Sequence, residues 1–164
     1  MSRDTSKLEP GTRIRVLRFL AAAEAADIDL LVTCTDRSFD EQAKLYAIGR
    51  TKPGNPCQCG KKANPIGTCS KHLMGLRVTN AKPGESWHNW NRAVDVVPLR
   101  HGKPVWDTDA KENRELWETV GALGKAEGLE WAGDWTRFRE FPHFQYTEGL
   151  SLTALQAAHP KGLA

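Results

Sequence analysis

The chain has 164 residues, 40% of them apolar and 26% charged, which suits one globular domain with a core of its own and is short for two. Gly and Pro, at 14 and 9, are too few for collagen-like or low-complexity chains. No apolar run reaches the ~18 to 20 residues of a membrane helix. The polar start, Met-Ser-Arg-Asp-Thr-Ser-Lys, lacks a signal core, so the expectation is a soluble protein kept in the cytosol until released. The formal net charge of +3 is small for a nucleic-acid binder. It is unevenly spread: residues 1–82 carry 14 Lys and Arg against 8 Asp and Glu, and residues 83–164 carry 9 against 12. A basic half is more often a solvated surface than a polyanion site.

The first predicted element is a helix over 12–26, with Ile14, Leu17, Ala21 and Ala25 at helical spacing after Pro10-Gly11. Ile28 to Cys34 reads as a buried strand. Ser38-Phe39-Asp40-Glu41 is a capping box opening a helix to about Ile48, with Gly49 as its stop. From 50 to 85 no pattern persists; Gly54, Pro56, Gly60, Pro65, Gly67 and Gly75 interrupt it. A stretch that long without regular structure usually has a function or a staple. Residues 92–99 form a strand with Ala93, Asp95 and Val97 on one face. Residues 108–127 form a helix with Leu116, Val120 and Leu123 toward the core. Short strands at 129–131 and 141–146 and a helix from Ser151 to Ala158 complete the chain. Mixed elements without a βαβ rhythm indicate α+β around a small antiparallel sheet flanked by helices, all in one domain over 1–164.

Two segments concentrate chemistry: Ser86-Trp87-His88-Asn89-Trp90-Asn91-Arg92-Ala93-Val94-Asp95 and Glu140-Phe141-Pro142-His143-Phe144. Two His and one carboxylate are the protein ligands of a zinc that keeps a fourth position open. His88, Asp95 and His143 would supply them, two from strands, with Glu140 beside the metal as proton acceptor. Taken singly, His88 could be a packed core histidine, Asp95 an arginine partner and Glu140 a surface ion pair.

The order Ser-x-His-x6-Asp, then Glu-x-x-His, resembles the zinc D-Ala-D-Ala carboxypeptidase and dipeptidase family of peptidoglycan enzymes (peptidase family M15), and more closely its phage L-alanyl-D-glutamate endopeptidase endolysins. Thr35-Asp36-Arg37-Ser38-Phe39-Asp40-Glu41-Gln42, Leu45-Tyr46-Ala47-x-Gly49-Arg50-Thr51, Val78-Thr79-Asn80-Ala81 and Gly133-Asp134-Trp135 carry the same likeness. The resemblance implies zinc ligands at His88, Asp95 and His143, a catalytic base at Glu140, an oxyanion-stabilising arginine at Arg37 and a substrate-positioning serine at Ser86. The implied partner is peptidoglycan, cut in its peptide stem at the L-Ala–D-Glu bond, with no nucleic acid, no membrane insertion and a monomeric chain. Rival readings are a D,D-carboxypeptidase or D-Ala-D-Ala dipeptidase, a non-catalytic zinc-bearing wall binder, and a basic nucleic-acid module.

Two departures stand out. The family's glycine three residues after the first zinc histidine is Asn91 here, the best substitute if that position needs positive φ. A Cys-, Gly- and Pro-rich insert spans about 55–77; in it, Cys57, Cys59, Cys69 and His72 could close a second, structural zinc site. Free or oxidised thiols are the plainer reading. Cys34 reads as core, and Trp87, Trp90 and Trp135 as apolar walls of the site or as core.

Overall fold

A computed structural model of the chain describes residues 1–56 and 73–163. The elements are α1 (Pro10–Ala25), β1 (Leu30–Cys34), α2 (Phe39–Ala47), β2 (Ala93–Arg100), β3 (Lys103–Pro104), α3 (Lys111–Ala126), β4 (Glu130–Trp131), β5 (His143–Gln145) and α4 (Leu152–Ala158). The sheet runs β1-β2-β5-β4, with β3 paired to β2, and every pairing is antiparallel. This is the α+β arrangement predicted. Among the described residues, no helix is long and apolar enough to cross a membrane.

β2 organises the fold because its alternate residues serve opposite faces. Val94 and Val96, fully buried, join Val16 and Phe19 of α1, Val120 of α3, Trp131 and Phe144 in one apolar cluster. Phe144 lies opposite Val94, with its ring 4.7 Å from that of Phe19 and stacked with Trp131 at 6.2 Å. Helix α3 comes close to the sheet through two glycines. A methyl group at Gly121 would collide with the Trp131 indole, and one at Gly124 with the Phe144 ring. Asp95, between Val94 and Val96, faces away from this cluster.

Helix α1 starts earlier than predicted. Pro10 and Gly11 lie inside its first turn, where proline's missing N–H costs nothing, and the Glu9 carboxylate accepts from the Gly11 and Thr12 amides at 3.1 and 3.0 Å. Its buried face is also different: Thr12, Val16, Phe19 and Ala23 point inward, while Ile14 and Leu17 are exposed. Two interleaved stripes were available, and the one holding the large Phe19 is the one that packs. Helix α2 has its predicted capping box, Ser38 accepting from the Glu41 amide at 3.1 Å and Glu41 accepting from the Ser38 amide at 3.0 Å. Among the described residues, the predicted irregular region 50–85 contains no helix or strand.

Candidate active site

The face of the sheet turned away from the apolar cluster carries a row of side chains that register alone puts together. Cys34 of β1 pairs with Asp95 of β2, and Asp95 pairs with His143 of β5. Directly paired residues in an antiparallel sheet point to the same side. A β-bulge between Val32 and Cys34 brings Cys34, rather than Thr33, opposite Asp95. His88 arrives from a short 3-10 turn, Trp87–Trp90, that leads into β2 through Asn91 at φ 57° and ψ 29°. Among residues other than glycine, asparagine is one of the best suited to that left-handed conformation.

Three donor atoms converge here. His88 Nε2 lies 3.1 Å from Asp95 Oδ1, His143 Nδ1 lies 3.0 Å from the same oxygen, and the two nitrogens are 3.2 Å apart. A tetrahedron built on zinc–ligand bonds of about 2.0 Å has edges of about 3.3 Å, so the triangle fits one face of it. Cys34, His88 and Asp95 also offer atoms within 4.8 Å of one another. However, Cys34 Sγ meets the opposite ring nitrogen, 3.6 Å from His88 Nδ1, outside the converging set.

Hydrogen bonds behind the triangle fix which nitrogens face it. His88 Nδ1 lies 3.1 Å from the Thr35 carbonyl, which can only accept, so that nitrogen carries the proton. On the other side, Gln145 donates its amide nitrogen to Glu130 at 2.9 Å, and its oxygen therefore accepts from His143 Nε2 at 3.1 Å. Thr147 donates to the second Glu130 oxygen at 2.7 Å. In their neutral forms, both imidazoles thus present a lone pair inward.

The electrostatics show a pocket that demands positive charge. Burial alone would lower the His88 pKa, but the charge and hydrogen bond of Asp95, assisted by Cys34, push it up to about 10. Burial likewise works against ionisation of Asp95, yet His88 and His143 hold its carboxyl far below the usual carboxylate range. A divalent cation among the same donors would supply the charge that a proton on His88 otherwise provides. The residues present therefore fit a zinc ion.

Arg37, Ser86 and Glu140 line the same cavity of about 870 Å³ as His88, Asp95 and His143. Burial is the main cause that raises the Glu140 carboxyl pKa, with Asp95 adding to it and His143 opposing it. Arg37 is almost enclosed. Its Nη1 donates to Gln42 Oε1 at 2.9 Å, its Nη2 lies 3.6 Å from Cys34 Sγ and 3.9 Å from Asp95 Oδ2, and its buried Nε has no partner among the described residues. Ser86 sits at the head of the 3-10 turn without capping it.

Some residues differ from their sequence reading. Cys34 is buried, but beside Arg37 and His88 rather than in the helix-packed core, because the bulge turns it to the site face. Trp90 is core, its indole N–H bonded to the Gly84 carbonyl at 3.0 Å, whereas Trp87 and Trp135 line the cavity. Cys57, Cys59, Cys69 and His72 lie outside the described residues. Three supporting residues escaped sequence reasoning: Thr35, Gln42 and Gln145. Gln145 had a weak signal, standing two residues after His143 on a strand and hence on the same face.

Residues 79–146 match a family model described as D-alanyl-D-alanine carboxypeptidase. The Bacillus subtilis (strain 168) peptidoglycan L-alanyl-D-glutamate endopeptidase CwlK is 35% identical over 144 residues, spanning 85% of this chain and 74% of that protein. Two solved structures share the fold: Serratia marcescens L-Ala D-Glu endopeptidase ChiX, with a TM-score of 0.55 at 19% identity over 88% of this chain and 84% of that one, and the LdcB LD-carboxypeptidase, with 0.54 at 16% over 92% and 64%. The matched family segment runs from the wall of the cavity through every residue of the converging triangle, and the chain belongs to peptidase family M15.

Proposed function

We propose that the protein is a zinc-dependent peptidoglycan peptidase that hydrolyses the L-Ala–D-Glu bond of the peptide stem. The observation that carries this is the convergence of His88 Nε2, Asp95 Oδ1 and His143 Nδ1 to within 3.0–3.2 Å of one another, in one cavity with Glu140 and Arg37. The names of CwlK and ChiX support the choice of bond. The resemblance of the motifs to phage endolysins extends the proposal to a lytic enzyme that reaches the wall from the cytosol.

His88, Asp95 and His143 would hold the ion, which supplies Lewis acidity toward the scissile carbonyl and toward water. Glu140 takes a proton from water as its oxygen bonds to the carbonyl carbon. As the C–N bond breaks, Glu140 delivers that proton to the departing amine. A carboxyl with a raised pKa suits both halves of that transfer. Arg37, which lines the cavity beside Asp95, donates from its guanidinium to the oxygen on which negative charge develops. Ser86 positions the substrate.

Digestion of purified peptidoglycan, with mass analysis of the new ends, tests this reading. New N-terminal D-Glu is expected. Released D-Ala would instead fit the carboxypeptidase description of the matched family model, and an intact wall would favour a binding protein.

A further inference from the structure

Of the chain's six Trp, two Tyr and five Phe, only Trp106 and Phe138 are exposed, at 56% and 49%. Both line the cavity that holds His88, Asp95 and His143. Random exposure would scatter such rings over the surface; here they share one cleft.

Each ring is held out on anchored backbone. Trp106 lies between Val105, whose carbonyl accepts from the Trp117 indole at 3.1 Å, and Asp107, whose carboxylate accepts from Asn113 at 3.2 Å. Phe138 adopts φ 55°. Among the described residues, the other positive-φ residues besides glycine are Asp27, Asn91, His101 and Glu148, mostly polar types enriched in that region, whereas a bulky aromatic there is an outlier. The Phe138 ring is not buried, so packing does not offset the strain. The neighbouring backbone keeps it, with Glu140 N–H bonded to Ala132 O at 3.2 Å and Arg139 Nε to Trp135 O at 3.4 Å. Strain kept at a cleft without a packing return marks a functional position.

The substrate chemistry says what these rings meet. This step rests on the proposed cleavage of the L-Ala–D-Glu bond. On the acyl side of that bond there is one residue, L-Ala, whose nitrogen is joined through a lactyl group to muramic acid. A sugar ring therefore lies within roughly two residue lengths, about 7 Å, of the scissile carbon. The stem itself is short, aliphatic and carboxylated and offers nothing for two large rings. The C–H face of a pyranose does, and Thr108 and Arg139 line the same cavity as partners for its hydroxyl and amide groups. We infer that Trp106 and Phe138 form a subsite for the N-acetylmuramic acid ring, so that the enzyme reads the glycan attachment as well as the peptide.

The test compares two defined substrates: the stem peptide bearing N-acetylmuramic acid, and the same peptide with a free L-Ala amine capped by acetyl. For the zinc-loaded wild type, kcat/KM is expected to favour the sugar-bearing substrate by about tenfold or more. In Trp106→Ala and Phe138→Ala, this preference should collapse toward one, chiefly through KM. Phe138→Gly removes the ring and relaxes the backbone together, so it should lose the preference while melting at or above the wild-type temperature. Equal rates on both substrates in the wild type, or a parallel fall on both in the variants, would overturn the subsite while leaving the peptidase reading intact. A wild type that cuts neither substrate at L-Ala–D-Glu would overturn the proposed function, and this inference with it.

Discussion

If the proposed site holds zinc, Gln145 should govern how tightly, and replacing it with leucine isolates that effect. Its oxygen is the acceptor 3.1 Å from His143 Nε2, and its nitrogen is committed to Glu130 at 2.9 Å. In Gln145→Leu, the buried His143, only 6% exposed, has an N–H without an acceptor. Leaving it so costs about 1–3 kcal/mol, and the ring escapes that penalty by moving its proton to Nδ1, the atom that faces Asp95. Metal binding must then reverse the tautomer. Losses of this kind weaken metal affinity by about 10- to 100-fold, equivalent to about 1.4–2.7 kcal/mol. Competition for zinc against a chromophoric chelator reads this directly, without reference to turnover. Gln145→Glu keeps an acceptor for Nε2 and should bind zinc more tightly than the leucine variant, although its contact with Glu130 becomes repulsive. If Gln145→Leu, with native near-ultraviolet dichroism, held zinc as tightly as wild type, the assignment of the inward-facing nitrogen would be wrong.

Four further outcomes are expected. Glu140→Ala should retain zinc and fold while kcat falls by about 10²–10⁴; loss of the metal would show instead that Glu140 is a ligand. Since His88 in the metal-free protein is raised from 6.5 to about 10, zinc must displace its proton, so binding at pH 7–8 should release about one proton, measurable by calorimetry in buffers of different ionisation heat. The same raised pKa contributes stability present below pH 6.5 and lost as pH rises through about 10, so the melting temperature of the metal-free protein should decline across that interval relative to the zinc-loaded one. Gly121→Ala should destabilise by about 1–3 kcal/mol in urea titration, because its methyl group meets the Trp131 indole; an unchanged midpoint would mean α3 can move away freely.

Local chemistry made part of this legible in the sequence. The capping box at Ser38 and Glu41 and the alternation of β2 follow from a few neighbouring residues, and the asparagine at 91 from the family resemblance; each has its expected conformation. Helix α1 shows the limit. Ile14 and Leu17 are as apolar as the residues that pack, and only the position of the sheet decides that Val16 and Phe19 turn inward. The supporting residues of the site are further from view because their partners are distant in the chain. Gln42 reaches Arg37 on one side and, at 2.7 Å, the Ala81 carbonyl on the other, while Thr35 meets His88 from 53 residues away. Cys34 was misplaced because a bulge shifts the pairing of β1, and bulges leave little trace in composition.

The alternation along β2 also links assembly to activity. Val94 and Val96 close the core while Asp95, between them, faces the cleft. Sliding this strand by one residue against β5 would drive the carboxylate beneath the helices and turn valines toward the substrate. A chain with such an error would forfeit its apolar seal and its cation site in the same step, so no well-packed but metal-blind form is available to it. Zinc captured during folding would then act as a proofreader of strand register, rewarding only the alignment in which the hydrophobic layer is also complete.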